Sequence, residues 1–432
     1  MRHAPIDPQL FVTNRERLKE LMLENSLAVV NANDIPPTNA DGTLAMPAGS
    51  DLFYLSGVEQ EESILLLYPD ADDEKHCEIL FLREPTPEIE LWEGRKLTRD
   101  EARQVAGVKN IRWLSEFRRL FHRLMCSCDH VYLNSNEHPR AVIEVESREA
   151  RFVADTARRY PLHDYQRLAR LMHQLRVVKS DLEIDLVRKA CALTEQGFRR
   201  VLKFTKPGVL EAQIEAEFAH EFIRHHGRFA YLPIIASGPN ALALHYIENS
   251  SACNKGELLL LDVAASWANY NADMTRTIPV SGRFTARQRR VYNAVLRVLR
   301  QSINGLVCGK KPKEWQKEGE QMIEKELVDL GLLTLRQIRK QDPDHPALKK
   351  YFMHGLGHPL GLDVHDVGIT TQPIQAGWVM TVEPGIYLPE EGFAVRLEND
   401  VLVTGNGPVD LMAGIPVEAD EIEQLMTAAR SV

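Results

Sequence analysis

The stretch richest in reactive side chains is 353–366, Met-His-Gly-Leu-Gly-His-Pro-Leu-Gly-Leu-Asp-Val-His-Asp, where His354, His358 and His365 fall within twelve positions. Two more stretches follow closely, Thr381-Val382-Glu383-Pro384-Gly385 and Val395-Arg396-Leu397-Glu398-Asn399-Asp400. His354 and His358 have the spacing that sets two imidazoles on one face of a zinc-protease helix. Gly355, Gly357, Pro359 and Gly361 oppose that helix, because each glycine costs about 1 kcal/mol and a proline about 3 kcal/mol in a helix interior. Extended or looped backbone is expected instead. Partners for these imidazoles must then come from elsewhere, and Asp262 and Asp273 are the upstream candidates.

Asp262 ends the run Leu258-Leu259-Leu260-Leu261, where an uncompensated charge is costly. Asp273, in Ala272-Asp273-Met274-Thr275, lies across a polar turn, so the two acids can face each other on a hairpin. Alone, this pair reads equally well as a surface acid and a turn cap. Glu383 and Glu398 also end apolar strands. Four such acids together with His358 are hard to explain by packing, and a metal explains them all. Two divalent cations would neutralise four carboxylates. Four oxygen donors to one nitrogen form a hard set that suits manganese or a similar ion ahead of zinc. A pair of such ions about 3.5–4 Å apart activates water and polarises a carbonyl, which is metal-assisted hydrolysis.

These residues must be positioned by a chain of 432 residues, long enough for two domains. It is 44% hydrophobic and 26% charged, with a net charge of −9, so nucleic acid and anionic lipid are poor partners. No apolar run reaches the roughly 20 residues of a membrane span, and residues 1–8 carry no signal-peptide core, so cytoplasmic residence is expected. The six cysteines (77, 126, 128, 191, 253, 308) form no Cys-x-x-Cys pair and read as reduced and mostly buried.

The first part alternates helix and strand. Helices are predicted over 14–25, from the capping box Thr98–Glu101 to Gly107, and over 144–159; strands are predicted over 52–55, 64–68, 77–82 and 131–133. The pattern restarts near 174–180, dividing the chain into 1–174 and 175–432. In the second part, capping boxes Ser180–Glu183 and Thr285–Gln288 open helices, the latter with Val291, Val295, Val298 and Leu299 facing inward. Further helices are predicted over 210–226 and 314–330. Strands over 231–236, 242–247, 258–264 and 272–280 suggest an antiparallel sheet, hence α+β.

The histidine stretch, Thr-Val-Glu-Pro-Gly-Ile-Tyr at 381–387, Val-Arg-Leu-Glu-Asn-Asp at 395–400, and the spacing of Asp262 and Asp273 resemble the proline-specific metallopeptidases of the pita-bread fold, and among them aminopeptidase P. Gly49-Ser50-Asp51-Leu52-Phe53-Tyr54-Leu55-Ser56-Gly57 and Leu91-Trp92-Glu93-Gly94-Arg95 extend the resemblance across nearly the whole chain. It implies a smaller α/β creatinase-like amino-terminal domain ahead of a pita-bread catalytic domain. By the resemblance, Asp262, Asp273, His358, Glu383 and Glu398 hold two divalent ions, most readily Mn2+, with Asp273 and Glu398 bridging them. Glu383 would also shuttle the proton, and His365 would steady the scissile carbonyl. His245 matches a substrate-side histidine, while His354 and Arg396 match the lining of a proline pocket. Arg396 shares a strand face with Glu398 and can also orient a ligand carboxylate. Tyr387 either bonds near the site or packs, and Trp92 is expected in the core or an interface.

The chain departs from the family pattern in three places: Ala264 where glycine is common, Asn399 where an acid is frequent, and a short loop between Tyr387 and Arg396. The expected reaction is release of the amino-terminal residue ahead of a penultimate proline. A dipeptide-only prolidase is the neighbouring alternative, and a pita-bread binding protein without catalysis is the alternative of another class. Creatinase-like hydrolysis gives no reason to keep five ligands. The resemblance implies a homodimer or homotetramer acting on peptides.

Overall fold

The computed structural model describes residues 3–142, 144–368 and 371–430. They form two compact units that divide between Arg176 and Val177.

The first unit begins with α1 (Gln9–Lys19) and is built on strands β1 (Ser26–Asn31), β2 (Ile64–Leu67), β3 (Glu78–Leu82), β4 (Asn110–Trp113), β5 (His130–Leu133) and β6 (Asp164–Arg167). Their order is β4-β3-β2-β1-β5-β6, with β1-β2 and β2-β3 antiparallel and the other pairs parallel. Helices α2 (Ser50–Ser56), α3 (Pro87–Glu93), α4 (Arg99–Ala106), α5 (Phe117–Met125), α6 (Arg148–Arg159) and α7 (Leu168–Val177) complete it. The capping box at Thr98 and the left-handed Gly107 close α4 as expected.

Four expectations differ from the structure here. Helix α1 runs over Gln9–Lys19 rather than 14–25, because Pro8 presets the entry and Leu10, Phe11, Asn14, Arg15 and Leu18 form its buried face. Residues 52–55 are helical, not a strand. A short buried apolar run has no distinguishing period, and what settles it is Gly57, which at φ 65° donates its N–H back to the Phe53 carbonyl. Trp92 is 76% exposed on α3, so it is not a core residue. The six cysteines are free thiols, but only 128, 191 and 253 are buried.

The second unit opens with α8 (Asp181–Phe204), capped by Ser180 and Glu183, and α9 (Glu211–Arg224). Strands β7 (Arg228–Phe229), β8 (Ile234–Ser237), β9 (Leu258–Asp262), β10 (Ala265–Trp267), β11 (Tyr270–Asn271) and β12 (Thr275–Pro279) follow. They make two antiparallel sheets, β12-β9-β8 and β11-β10-β7. Next come α10 (Ala286–Gly305), with the four predicted valine and leucine positions buried, α11 (Pro312–Asp329) and α12 (Leu335–Lys340). Strands β13 (Val379–Val382), β14 (Gly385–Leu388), β15 (Phe393–Arg396), β16 (Asn399–Thr404) and β17 (Gly407–Asp410) form sheet β13-β16-β17 and hairpin β14-β15, and α13 (Ala419–Arg430) ends the unit. The fold is α+β. Residues 242–247 are not the expected strand: Gly238, at φ 54°, and Pro239 turn the chain into a 3-10 helix (Gly238–Leu242), after which it runs as a loop. No helix among the described residues is long and apolar enough to cross a membrane.

Candidate active site

The histidine stretch is not helical, as its glycines and proline require: it is extended around 356–360 and bends through 361–365. Residues 356–360 run beside β13: the N–H groups of Thr381 and Glu383 donate to the carbonyls of His358 and Leu356 at 2.9 and 2.8 Å, and Leu360 donates to Val379 at 3.0 Å. This pairing sets His358 opposite the end of β13, where Glu383 sits. A side chain at Gly357 would overlap the Thr381 carbonyl, so the close approach needs glycine. On the other side, Thr275 pairs with Asp262, and the Glu398 N–H donates to the Thr275 carbonyl at 3.0 Å. Three neighbouring strands thereby bring Asp262, Asp273 and Glu398 to one place.

Donor atoms of Asp273, His358 and Glu398 all lie within 4.8 Å of one another. His358 Nε2 is 3.4 Å from Asp273 Oδ2 and 3.7 Å from Glu383 Oε1. Its Nδ1–H donates to the Pro359 carbonyl at 2.9 Å, which leaves Nε2 as the nitrogen that either carries a proton or meets a metal. A lone pair aimed at carboxylates is repulsive unless a proton or a metal lies between them. Burial alone would lower the His358 pKa, yet the hydrogen bond with Asp273 and the charge of Glu383 raise it to about 9. Burial pushes Glu383 up to about 7, and it pushes Glu398 well above the usual carboxylate range, helped by Asp273 and Glu383. Burial likewise raises Asp262, against the pull of Arg396. The site is a buried cluster of like charges short of cations, and the residues fit divalent metal.

Asp262 is engaged differently. Its Oδ1 accepts from Tyr231 Oη and its Oδ2 from Arg396 Nη2, both at 2.6 Å. Each oxygen keeps a second lone pair for a metal. Arg396 Nη1 donates to Tyr387 Oη at 2.7 Å, and Tyr387 lies 2.9 Å from His354 Nε2. Since His354 Nδ1 donates to the Gly355 carbonyl, Nε2 accepts the tyrosine proton. Burial, reinforced by Arg396, lowers the His354 pKa to about 3, so this ring is neutral at ordinary pH. A polarised chain thus runs from Asp262 through Arg396 and Tyr387 to His354.

His365 packs edge-on against His358, with ring centroids 4.3 Å apart. His245 is exposed on the loop after the 3-10 helix; Leu244 and Tyr246 of that loop pack on a cluster containing Tyr387 and Ala394. No hydrogen bond or ion pair links His245 to the acids among the described residues. Three contributors escaped the reading of the sequence. Tyr231 holds Asp262; Thr275 accepts from Arg396 Nε at 3.1 Å and donates to Glu398 at 2.7 Å; Thr381 Oγ1 accepts the His358 N–H at 3.0 Å. Thr275 and Thr381 lie beside motif acids and could have been flagged, whereas Tyr231 carries no local signal.

Two departures are accommodated locally. Asn399 accepts from Arg276 at 2.8 Å and donates to Asp410 at 2.6 Å, so an amide serves both partners. The short connection is a tight turn between β14 and β15, closed by Gly392 at φ 69°.

Residues 185–405 match the model of metallopeptidase family M24, and residues 11–132 match that of the aminopeptidase P N-terminal domain. The chain is 33% identical to the Xaa-Pro aminopeptidase of Escherichia coli K12, over 99% of both chains. It is similar to the solved structure of Pseudomonas aeruginosa aminopeptidase PepP, with 32% identity, 100% of both chains covered and a TM-score of 0.87. It is also similar to zinc-substituted E. coli aminopeptidase P in complex with product, with 33% identity, 99% of this chain and 100% of the other covered, and a TM-score of 0.85. With family matches in both units and relatives alike from end to end, the chain belongs to metallopeptidase family M24 and, within it, to the aminopeptidase P family.

Proposed function

We propose that this protein is a metal-dependent Xaa-Pro aminopeptidase that hydrolyses the bond between an amino-terminal residue and a penultimate proline. The observation that carries the site is the convergence of Asp273, His358 and Glu398, with Glu383 beside His358. Asp262, Asp273, His358, Glu383 and Glu398 hold two divalent ions, of which manganese suits four oxygen donors and one nitrogen best. When bound, the ions supply Lewis acidity toward water and the scissile carbonyl. Glu383 accepts the proton of the attacking water and delivers it to the proline nitrogen as that bond breaks. His365 bonds the carbonyl oxygen as negative charge builds on it, His245 stands on the substrate side, and His354, Tyr387 and Arg396 bound the pyrrolidine ring. A bond to proline is a tertiary amide without N–H, so a peptidase that grips that donor is poorly suited to it, and a ring pocket beside activated water avoids the difficulty.

We take 1–174 and 175–432 as the two domains. Cytoplasmic residence and homo-oligomeric assembly fit the resemblance, and Leu91 and Trp92 on α3 offer an exposed apolar surface for the latter.

The test is hydrolysis of Ala-Pro-Ala and of Ala-Pro by metal-stripped protein reconstituted with Mn2+, with Glu383→Ala alongside. Tripeptide cleavage that falls by about 10³-fold in the variant is expected. Cleavage of the dipeptide alone would make the protein a prolidase and shift attention to the tight turn between β14 and β15. Bound metal without hydrolysis of either peptide would leave a binding protein.

A further inference from the structure

Helix α8 takes no part in the chemistry above, yet it places one buried thiol beneath the site. Cys191 is buried at 2% exposure, and its thiol donates to Asp400 Oδ2 at 3.4 Å. Asp400 is itself 0% exposed. The same Oδ2 accepts the backbone N–H of Asp273 at 3.1 Å, while Oδ1 is buried and has no hydrogen-bond partner among the described residues.

The place of that N–H in the chain gives the contact its meaning. Asp273 lies between β11 and β12. Its neighbour Ala272 still donates to Ala265, and Met274 still accepts from Val263, both at 3.0 Å, but the Asp273 N–H goes to a side chain. A buried amide at such a break must find a partner. Asp400 is a stiff one: it pairs with Thr381 of β13, and its carbonyl accepts from Leu411 at 2.9 Å. Two residues before it stands Glu398, so one short segment carries a ligand carboxylate and the group that anchors another ligand's backbone.

We propose that Cys191 and Asp400 form a positioning pair that sets the Asp273 backbone so that its carboxylate meets His358 and Glu398 at metal-binding distance. Asp400 accepts from Asp273, and the Cys191 thiol, docked by α8, fixes the orientation of the Asp400 carboxylate. Neither residue touches substrate. Orientation of ligands by outer partners is worth about 10- to 100-fold in metal affinity. The proposal rests on the metal-site reading above.

The experiment is calorimetric titration of Mn2+ into metal-stripped wild type, Asp400→Ala, Asp400→Asn, Cys191→Ala and Cys191→Ser, with kcat and KM measured at limiting and saturating Mn2+. Asp400→Ala should weaken Mn2+ binding by about 10-fold or more. Asp400→Asn keeps an acceptor oxygen for both donors and should fall between it and wild type. Cys191→Ala should weaken binding by about threefold, with Cys191→Ser, which retains a donor, closer to wild type. Saturating Mn2+ should restore most of kcat while KM stays unchanged, which a general packing defect would not show. Mn2+ affinity within twofold of wild type in both alanine variants would overturn the proposal, as would equal loss in Cys191→Ala and Cys191→Ser. Should Asp400→Ala not fold, the asparagine and Cys191 variants carry the same test. A wild type that binds no Mn2+ would instead sink the metal-site reading, and this inference with it.

Discussion

Arg396 Nη2 sits 2.6 Å from Asp262 Oδ2 while its Nη1 holds Tyr387 Oη at 2.7 Å, so one nearly buried guanidinium serves a metal-type carboxylate and the tyrosine that fixes His354. Removing one member of a buried ion pair costs about 3–5 kcal/mol, because the other charge is left uncompensated. Arg396→Met is therefore expected to lower the stability of metal-free protein by about 3 kcal/mol in urea unfolding, and by less with Mn2+ bound, since cations then neutralise Asp262. A loss below about 1 kcal/mol without metal would contradict this role.

Gly357 makes the pairing of 356–360 with β13 sterically feasible. Gly357→Ala is expected to push that segment off Thr381, separate His358 from Glu383, and cost at least about 3 kcal/mol, with Mn2+ binding lost. Gly405, which has open space around its Cβ position, is the control: Gly405→Ala should stay within about 0.5 kcal/mol of wild type. Equal thermal shifts in the two variants would refute the steric account.

Lys179 Nζ and Asp366 Oδ2 are 3.0 Å apart, each side chain being 1% exposed. Asp366 follows His365, so this pair anchors the turn that presents the imidazole. Lys179→Met should destabilise by about 3–5 kcal/mol, and adding Asp366→Leu should recover much of that, because a buried pair replaced by apolar residues is often neutral. Chemical denaturation of both variants checks the expectation. A double variant no more stable than the single would count against it.

The pH dependence follows from His358 and Glu383, which face each other at 3.7 Å and so titrate as a pair. Burial opposes the His358 proton, but Asp273 and Glu383 hold it to about 9, against 6.5 ordinarily; burial raises Glu383 to about 7, against 4.5. In metal-free protein both groups bind protons more tightly folded than unfolded. The stability due to His358 is complete below its unfolded value and lost as pH rises through about 9; that due to Glu383 is lost as pH rises through about 7. The metal-free Tm should fall between about pH 6 and 9.5. Metal must displace these protons, so the Tm gain from Mn2+ should grow over the same range. A gain that shrinks with rising pH would be the contrary result.

Much of this molecule was legible in its residues. Capping boxes at Thr98, Ser180 and Thr285 located helix starts, because a cap is a contact within four residues and needs nothing from the rest of the chain. Gly357, Pro359 and Gly361 ruled out a helix through the histidines by local cost alone, and acids ending apolar strands announced a charged cluster. What failed was either a short run whose local turn residues, Gly57 and Gly238-Pro239, outweighed its apolar pattern, or a property that depends on distant contacts. Leu52 to Leu55 carry no period that separates a buried strand from a buried helix, and the exposure of Trp92 is a property of the packed unit. Only the fold decided that Tyr231 and Arg396 clamp Asp262, and that a cysteine on α8 reaches Asp400 under Asp273. The ligand types are written in the chain because chemistry demands particular donor atoms. Their alignment is not, because it comes from strand register and side-chain contacts between residues 31 to 209 positions apart.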